Sequence, residues 1–146
     1  MTSVTIQRTI QASPAEVYRA WLDPELLTQW AAPVGWQAVR AEVDERVGGH
    51  YRSWHVDGEG RDVGGFDCEI LELVPDERIV FRWQFVGPDR VPLAEASSRL
   101  TIALRPVPPD ACELTLVHDR LSPDVADAIH QGWAGTIIRL EQTVSR

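Results

Sequence analysis

Residues 122–144 read SPDVADAIHQGWAGTIIRLEQTV, and this stretch decides the fold. Ser122 is a capping residue type, Pro123 suits the first helical position, and Asp124 places a negative charge in the first turn. Ile129, Trp133, Ile137, Leu140 and Val144 then recur at spacings of 4, 4, 3 and 4. That is one apolar stripe on a long helix. Gly132 and Gly135 interrupt it at a helix-propensity cost of roughly 1 kcal/mol each. A close approach of the helix to a sheet or to a ligand is expected to offset that cost.

Upstream, from Trp36 to His118, the apolar period is two rather than 3.6. Arg78 to Val86 is the clearest strand: Ile79, Phe81, Trp83 and Phe85 share one face, while Arg78, Arg82 and Gln84 share the other. Val39, Ala41, Val43 and Val47 predict a strand that ends before Gly48-Gly49. Tyr51 to Val56 and Phe66 to Val74 predict two more, with Gly58-Glu59-Gly60 and Gly64-Gly65 read as turns. Ser98, Leu100, Ile102 and Leu104 mark another, stopped by Pro106 and Pro108-Pro109. Cys112, Leu114, Leu116 and His118 mark the last. At the N-terminal side, Val4, Ile6 and Ile10 fit a first strand over about residues 3–11. Ser13-Pro14-Ala15-Glu16 is a capping box that opens a helix carrying Val17, Ala20 and Trp21. Asp23-Pro24-Glu25 repeats the signal for a second short helix with Leu26, Leu27 and Trp30.

Strands in one run with helices segregated give an α+β fold. The expected architecture is a curved antiparallel sheet of about six to seven strands, two short helices after the first strand, and a long C-terminal helix over the sheet. The 146 residues show no repeat, linker or low-complexity tract, so one domain spanning 1–146 is expected. Hydrophobic residues are 44% and charged residues 25%, a soluble globule's mix.

Charge narrows the partners. The 14 cations are all Arg and stand against 22 carboxylates, giving −8 at pH 7. A nucleic-acid binder needs a basic face, so that class is excluded, as is electrostatic docking on an anionic membrane. No stretch of 18 apolar residues exists, so no membrane insertion is expected. Cys68 and Cys112 form no CxxC pair and no secretory leader is seen, which points to the cytoplasm. Lys and Asn are absent; both use A-rich codons, which suggests a GC-rich bacterial source.

The element order and four local strings resemble the START-like, or SRPBCC, superfamily with its helix-grip fold. The strings are Trp30-Ala31-Ala32-Pro33, Gly48-Gly49-His50-Tyr51, the run from Glu72 to Trp83 (ELVPDERIVFRW), and Gly132-Trp133 with the Ile137, Leu140, Val144 ladder. The nearest likeness is to the branch of activators of a heat-shock chaperone ATPase. The resemblance covers nearly the whole chain and implies a cavity between the sheet and the last helix. The superfamily includes lipid and polyketide carriers, cyclases, ligand receptors and co-chaperone domains, so fold alone does not choose a function.

The aromatic set carries the functional reading. Trp30, Trp36, Tyr51, Trp54, Phe66, Phe81, Trp83, Phe85 and Trp133 are many rings for one small core, and rings lining a cavity stack on flat apolar ligands. Phe81, Trp83 and Phe85 are the strand-side wall, Trp133 and Ile137 the helix-side wall. Tyr51, Trp30 and Trp36 belong nearer the mouth. Tyr51, His55 and His130 are the candidate polar anchors for a ligand carbonyl or hydroxyl. His50 and His55, five residues apart, face opposite sides of one strand and cannot share a metal. No metal or other cofactor is implied. Catalytic motifs are missing: no GxSxG, P-loop, GxGxxG or HExxH occurs. Asp62, Asp67 and Glu69 cluster, but alternation places Asp67 and Glu69 on the wet face. Arg40, Arg52, Arg99 and Arg105 are expected to pair with surface carboxylates.

The expected activity is binding of a small, apolar, lipid-like, aromatic or polyketide-like ligand. Two alternatives stay open. One is a polyketide cyclase- or dehydratase-like enzyme using the same cavity, which needs a titratable group deep inside. The other is a co-chaperone-like module docking on a chaperone or other protein, which needs a broad exposed apolar patch. Monomer and homodimer both remain open.

Overall fold

The computed structural model describes residues 2–145. Helix α1 (Pro14–Leu22) starts at the capping box: Ser13 Oγ accepts the Glu16 N–H at 3.2 Å, and the Glu16 carboxylate accepts the Ser13 N–H at 3.2 Å. Helix α2 (Pro24–Trp30) is capped by Asp23, whose Oδ1 accepts the Glu25 N–H at 2.9 Å. The long helix α3 (Pro123–Val144) lacks the expected side-chain cap; Ser122 Oγ donates to the Asp124 carboxylate instead.

The strands are β1 (Thr2–Ile10), β2 (Gln37–Val43), β3 (His50–Val56), β4 (Asp62–Val74), β5 (Arg78–Trp83), β6 (Phe85–Val86), β7 (Ser98–Val107) and β8 (Ala111–Leu121). They form one antiparallel sheet in the order β1-β8-β7-β5-β4-β3-β2, with β6 paired to β4. The architecture is the α+β helix-grip arrangement.

Three local readings change. First, β2 ends at Val43 rather than before Gly48, because the chain turns back at Asp44, whose N–H bonds His50 O. A register shift between Ala38 and Arg40 inverts the alternation, so Ala38 is buried and Val39 faces solvent. Second, Gly64-Gly65 is no turn but lies inside β4. A Cβ on Gly64 would sit 2.0 Å from Val86 O, so the missing side chain lets β6 lie against β4. Third, the strand expected over 78–86 breaks at Gln84, which divides β5 from β6.

The inner face of the sheet and the stripe of α3 share one core. Phe81, Trp83, Leu100, Ile102, Leu114 and Leu116 pack with Trp133, Ile137 and Leu140, and Trp21, Leu27 and Trp30 close the end beneath the short helices. Each such side chain is worth roughly 1.5–3 kcal/mol when fully buried. The outer face carries the ion pairs expected of four arginines, Arg40–Glu42, Arg52–Asp67, Arg99–Asp119 and Arg105–Glu113, and adds Arg82–Glu69.

Candidate functional site

Seven of the ring and stripe residues meet in the core: Trp30, Tyr51, Phe66, Phe81, Trp83, Trp133 and Ile137 are all buried. Trp83 is their centre, with ring centroids 4.6 Å from Phe66, 5.3 Å from Trp133 and 5.6 Å from Phe81. Phe85 is half-buried at the edge of this set, 5.8 Å from Trp83. Two residues stand apart. Trp36 is 41% exposed on the loop after α2, and His130 points to solvent one position off the α3 stripe.

Beneath α3 the rings expected to wall a cavity pack against one another. Trp21 of α1 inserts there, 4.7 Å from Trp30, 6.0 Å from Trp133 and 6.3 Å from Phe81. The anchors expected there serve structure. Tyr51 Oη donates to Trp21 O at 2.6 Å. His55 bonds Ser53 Oγ at 2.7 Å within β3.

Open space lies instead at the N-terminal end of α3. A cleft of about 660 Å³ is bounded by the α3 residues Val125, Ala128 and Ile129 and by the segment 93–96 that follows β6. Trp83 and Phe85 form its aromatic lining, and Ser98 contributes a hydroxyl. Glu95, Asp124 and Arg120 stand exposed among the lining residues.

Behind Ser98 lies a polar chain that alternation hinted at. His118 continues the inward series Cys112, Leu114, Leu116, and Ser98 the series Leu100, Ile102, Leu104. Both are polar members of apolar rows, and that was the available signal. Trp133 Nε1 donates to His118 Nδ1 at 2.9 Å, and His118 Nε2 lies 2.6 Å from Ser98 Oγ. An indole N–H can only donate, so Nδ1 is bare and the imidazole proton sits on Nε2. His118 therefore donates to Ser98, and the Ser98 hydroxyl proton is left pointing elsewhere, with Trp83 O at a long 3.5 Å. Burial lowers the His118 pKa to about 4, so the ring is neutral at pH 7. This tautomer gives Ser98 no proton acceptor, unlike the pair of a serine nucleophile with its base. One more polar atom is notable: Trp83 Nε1–H is buried without a partner among the described residues.

No group of three or more His, Cys, Asp or Glu among the described residues is arranged to hold a metal ion. Cys68 and Cys112 are both free and buried, and burial raises both thiol pKa values. No described helix is long and apolar enough to cross a membrane.

The architecture recurs in solved structures. A crystal structure of a protein from Chromobacterium violaceum is 28% identical, with a TM-score of 0.82, covering 100% of this chain and 99% of that one. The AHSA1 protein from Silicibacter pomeroyi is 20% identical, with a TM-score of 0.80, covering 97% and 96%. A solution structure of a protein from Arthrobacter aurescens is 19% identical, with a TM-score of 0.86, covering 97% and 85%. No curated protein matches. Residues 11–145 match the family described as Activator of Hsp90 ATPase homolog 1-like protein, and the chain belongs to that family.

Proposed function

We propose that the protein binds a small, largely apolar ligand in the cleft at the N-terminal end of α3. The observation that carries this reading is the cleft itself: about 660 Å³, lined by Trp83, Phe85, Leu93, Val125 and Ile129, with a serine hydroxyl among them. That volume and lining suit a ligand of drug size held by apolar burial with few polar contacts. Leu93 is 71% exposed at this site, an apolar side chain that a ligand would cover. The ligand is of the lipid-like, aromatic or polyketide-like class, and a cytoplasmic setting accompanies this reading.

Trp fluorescence titrated with fatty acids, sterols, flavonoids and aromatic polyketides tests it. At least one class should quench saturably. Ala128→Trp, at an exposed α3 position that lines the cleft, should abolish that response with circular dichroism unchanged. Undiminished binding in Ala128→Trp would move the site elsewhere.

A second reading has its own observation. Val34 (75% exposed), Trp36 and Ile138 form an exposed apolar set beside Arg139, farther along α3 than the cleft lining. Such a set fits docking on a protein. A purified Hsp90-type chaperone whose ATPase rate responds to the wild type and not to Ile138→Asp would support it.

A further inference from the structure

Arg120 stands apart from the other described arginines. Ten of those are held by carboxylates, and Arg90 and Arg139 donate to backbone carbonyls. Arg120 makes no hydrogen bond or ion pair among the described residues, in a chain with 22 carboxylates against 14 cations. Its backbone is also unusual. From the pair Thr2–Leu121 to the pair Val4–His118, β1 advances two residues and β8 three, so a bulge falls at Asp119–Arg120. Arg120 takes φ 63°, in the left-handed region that residues with side chains rarely adopt. Bulges re-aim side chains, and strain of this kind is frequent at ligand sites. Here the bulged residue lines the cleft, together with Phe85, Leu93, Val125 and Ile129.

Two carboxylates share that lining, Glu95 and Asp124, yet neither pairs with Arg120. Asp124 accepts the Ser122 hydroxyl and sits in the first turn of α3, where the helix dipole offsets its charge. Glu95 is exposed to water, and a ligand cation drawn to it would meet Arg120 in the same lining. A free guanidinium at the mouth of an apolar cleft suits an amphiphile. The carboxylate stays at the rim in contact with water, so no charge is buried, and the apolar body covers the lining.

We infer that the cleft takes apolar monocarboxylates, body first, and that Arg120 holds the carboxylate at its mouth. This rests on the ligand-binding reading above and names its ligand class. The apolar wall supplies the burial, and the guanidinium fixes which end of the ligand stays outside.

Three probes of one shape, titrated by calorimetry at pH 7.5, separate the possibilities: 2-naphthoate, 2-naphthylmethanol and 2-naphthylmethylammonium. The carboxylate should bind about three- to tenfold more tightly than the alcohol, and the ammonium no better than the alcohol. The advantage should shrink at about 0.5 M sodium chloride. In ¹⁵N-labelled protein the carboxylate should move the Val125 and Ile129 amide signals. Arg120→Gln should bring the carboxylate down to the alcohol's affinity and leave the alcohol unchanged. Arg120→Gly should do the same and unfold at no lower temperature than the wild type, because glycine tolerates φ 63°. Equal binding of carboxylate and alcohol, or tightest binding by the ammonium, would overturn the choice of head group while the cleft reading stands. A carboxylate preference that survives both variants, or amide shifts that avoid the cleft, would overturn the role of Arg120. Absence of saturable binding by all three would overturn the inference; the fatty-acid, sterol, flavonoid and polyketide titrations then decide the cleft reading separately.

Discussion

Two buried histidines set how this fold responds to acid. His55 and His118 are each held neutral by burial, with pKa values lowered to about 4 from 6.5; for His55 the backbone of Ala31 opposes the shift without cancelling it. In the unfolded chain both would protonate near pH 6.5, so below that pH the unfolded state binds more protons than the native one. Stability is therefore full above about pH 6.5 and falls as pH drops towards 4. Between pH 7.5 and 5 the two together should remove about 4 kcal/mol of unfolding free energy. Urea titrations at the two pH values measure this, and either His55→Gln or His118→Gln should halve the difference. A profile flat between those pH values would mean that neither ring is buried neutral. Trp133→Phe tests the same network without a charge: it keeps most of the ring but leaves His118 Nδ1 without its donor. A cost of about 1–3 kcal/mol is expected, with the sheet otherwise intact by circular dichroism. His118 was legible as a strand residue, but its weight was not, because a partner on α3 lies 15 residues away and only packing brings it close.

Helix α3 shows why an element can be legible while its reason is not. Its length, stripe and proline start follow from residues 122–144 alone. The two glycines do not share one explanation. A Cβ on Gly135 would lie 2.9 Å from Val34 Cγ2, so the close approach is to the loop after α2, rather than to the sheet or a ligand. Arg139, one turn on, fastens that same loop by donating to Ala32 O at 2.7 Å, Trp36 O at 2.9 Å and Pro33 O at 3.2 Å. Gly132 faces open space. Gly132→Ala should therefore stabilise by about 1 kcal/mol, the propensity difference alone. Gly135→Ala should gain less, because Val34 must move. Thermal unfolding of the two variants decides the matter; equal gains would mean the Val34 contact gives way freely. The strands follow the same pattern. Ile79, Phe81 and Trp83 keep their common face, since alternation is local. The Ala38–Arg40 shift and the break at Gln84 depend on neighbouring strands, and no period in one strand reports them. The cleft was hidden for a like reason: segment 93–96 has no periodicity, and its position comes from the sheet below it.

At the scale of the molecule, the outer face of the sheet governs the cleft on its inner side. Most of the outer ion pairs are exposed, and each is worth about 0–1 kcal/mol, less in salt. Arg90 is different. It sits in the segment between β6 and β7, with φ at 65°, a strained backbone for a residue with a side chain. Three contacts hold it there. Nη1 donates to Ser53 O at 2.9 Å, Nη2 donates to Phe66 O at 3.1 Å, and the guanidinium lies 4.4 Å from the Trp54 ring centre. Arg40 lies 4.6 Å from that ring as well. Burial lowers the Arg90 pKa, yet the group remains charged at any physiological pH. This strap pins to β3 and β4 a segment whose continuation, Leu93 to Ala96, walls the cleft. The segment's own closure adds Gly87 N–H to Val91 O at 3.0 Å, Arg90 N–H to Gly87 O at 2.9 Å, Leu93 N–H to Phe85 O at 3.0 Å and Gln84 Nε2–H to Ala94 O at 3.2 Å. Arg90→Ala removes the strap and keeps the strain, so the wall should open locally while the core stays folded. Amide exchange at Gly87 and Leu93 should accelerate by about 10–100-fold, the effect of losing 1–3 kcal/mol. Exchange at Ile102 and Leu116, inside the sheet, should be unchanged. Arg90→Lys should recover little, because one ammonium cannot span two carbonyls and stack on an indole. Unaltered exchange at Leu93 in Arg90→Ala would show that the wall stands by its own turn, and that the outer face leaves the cleft alone.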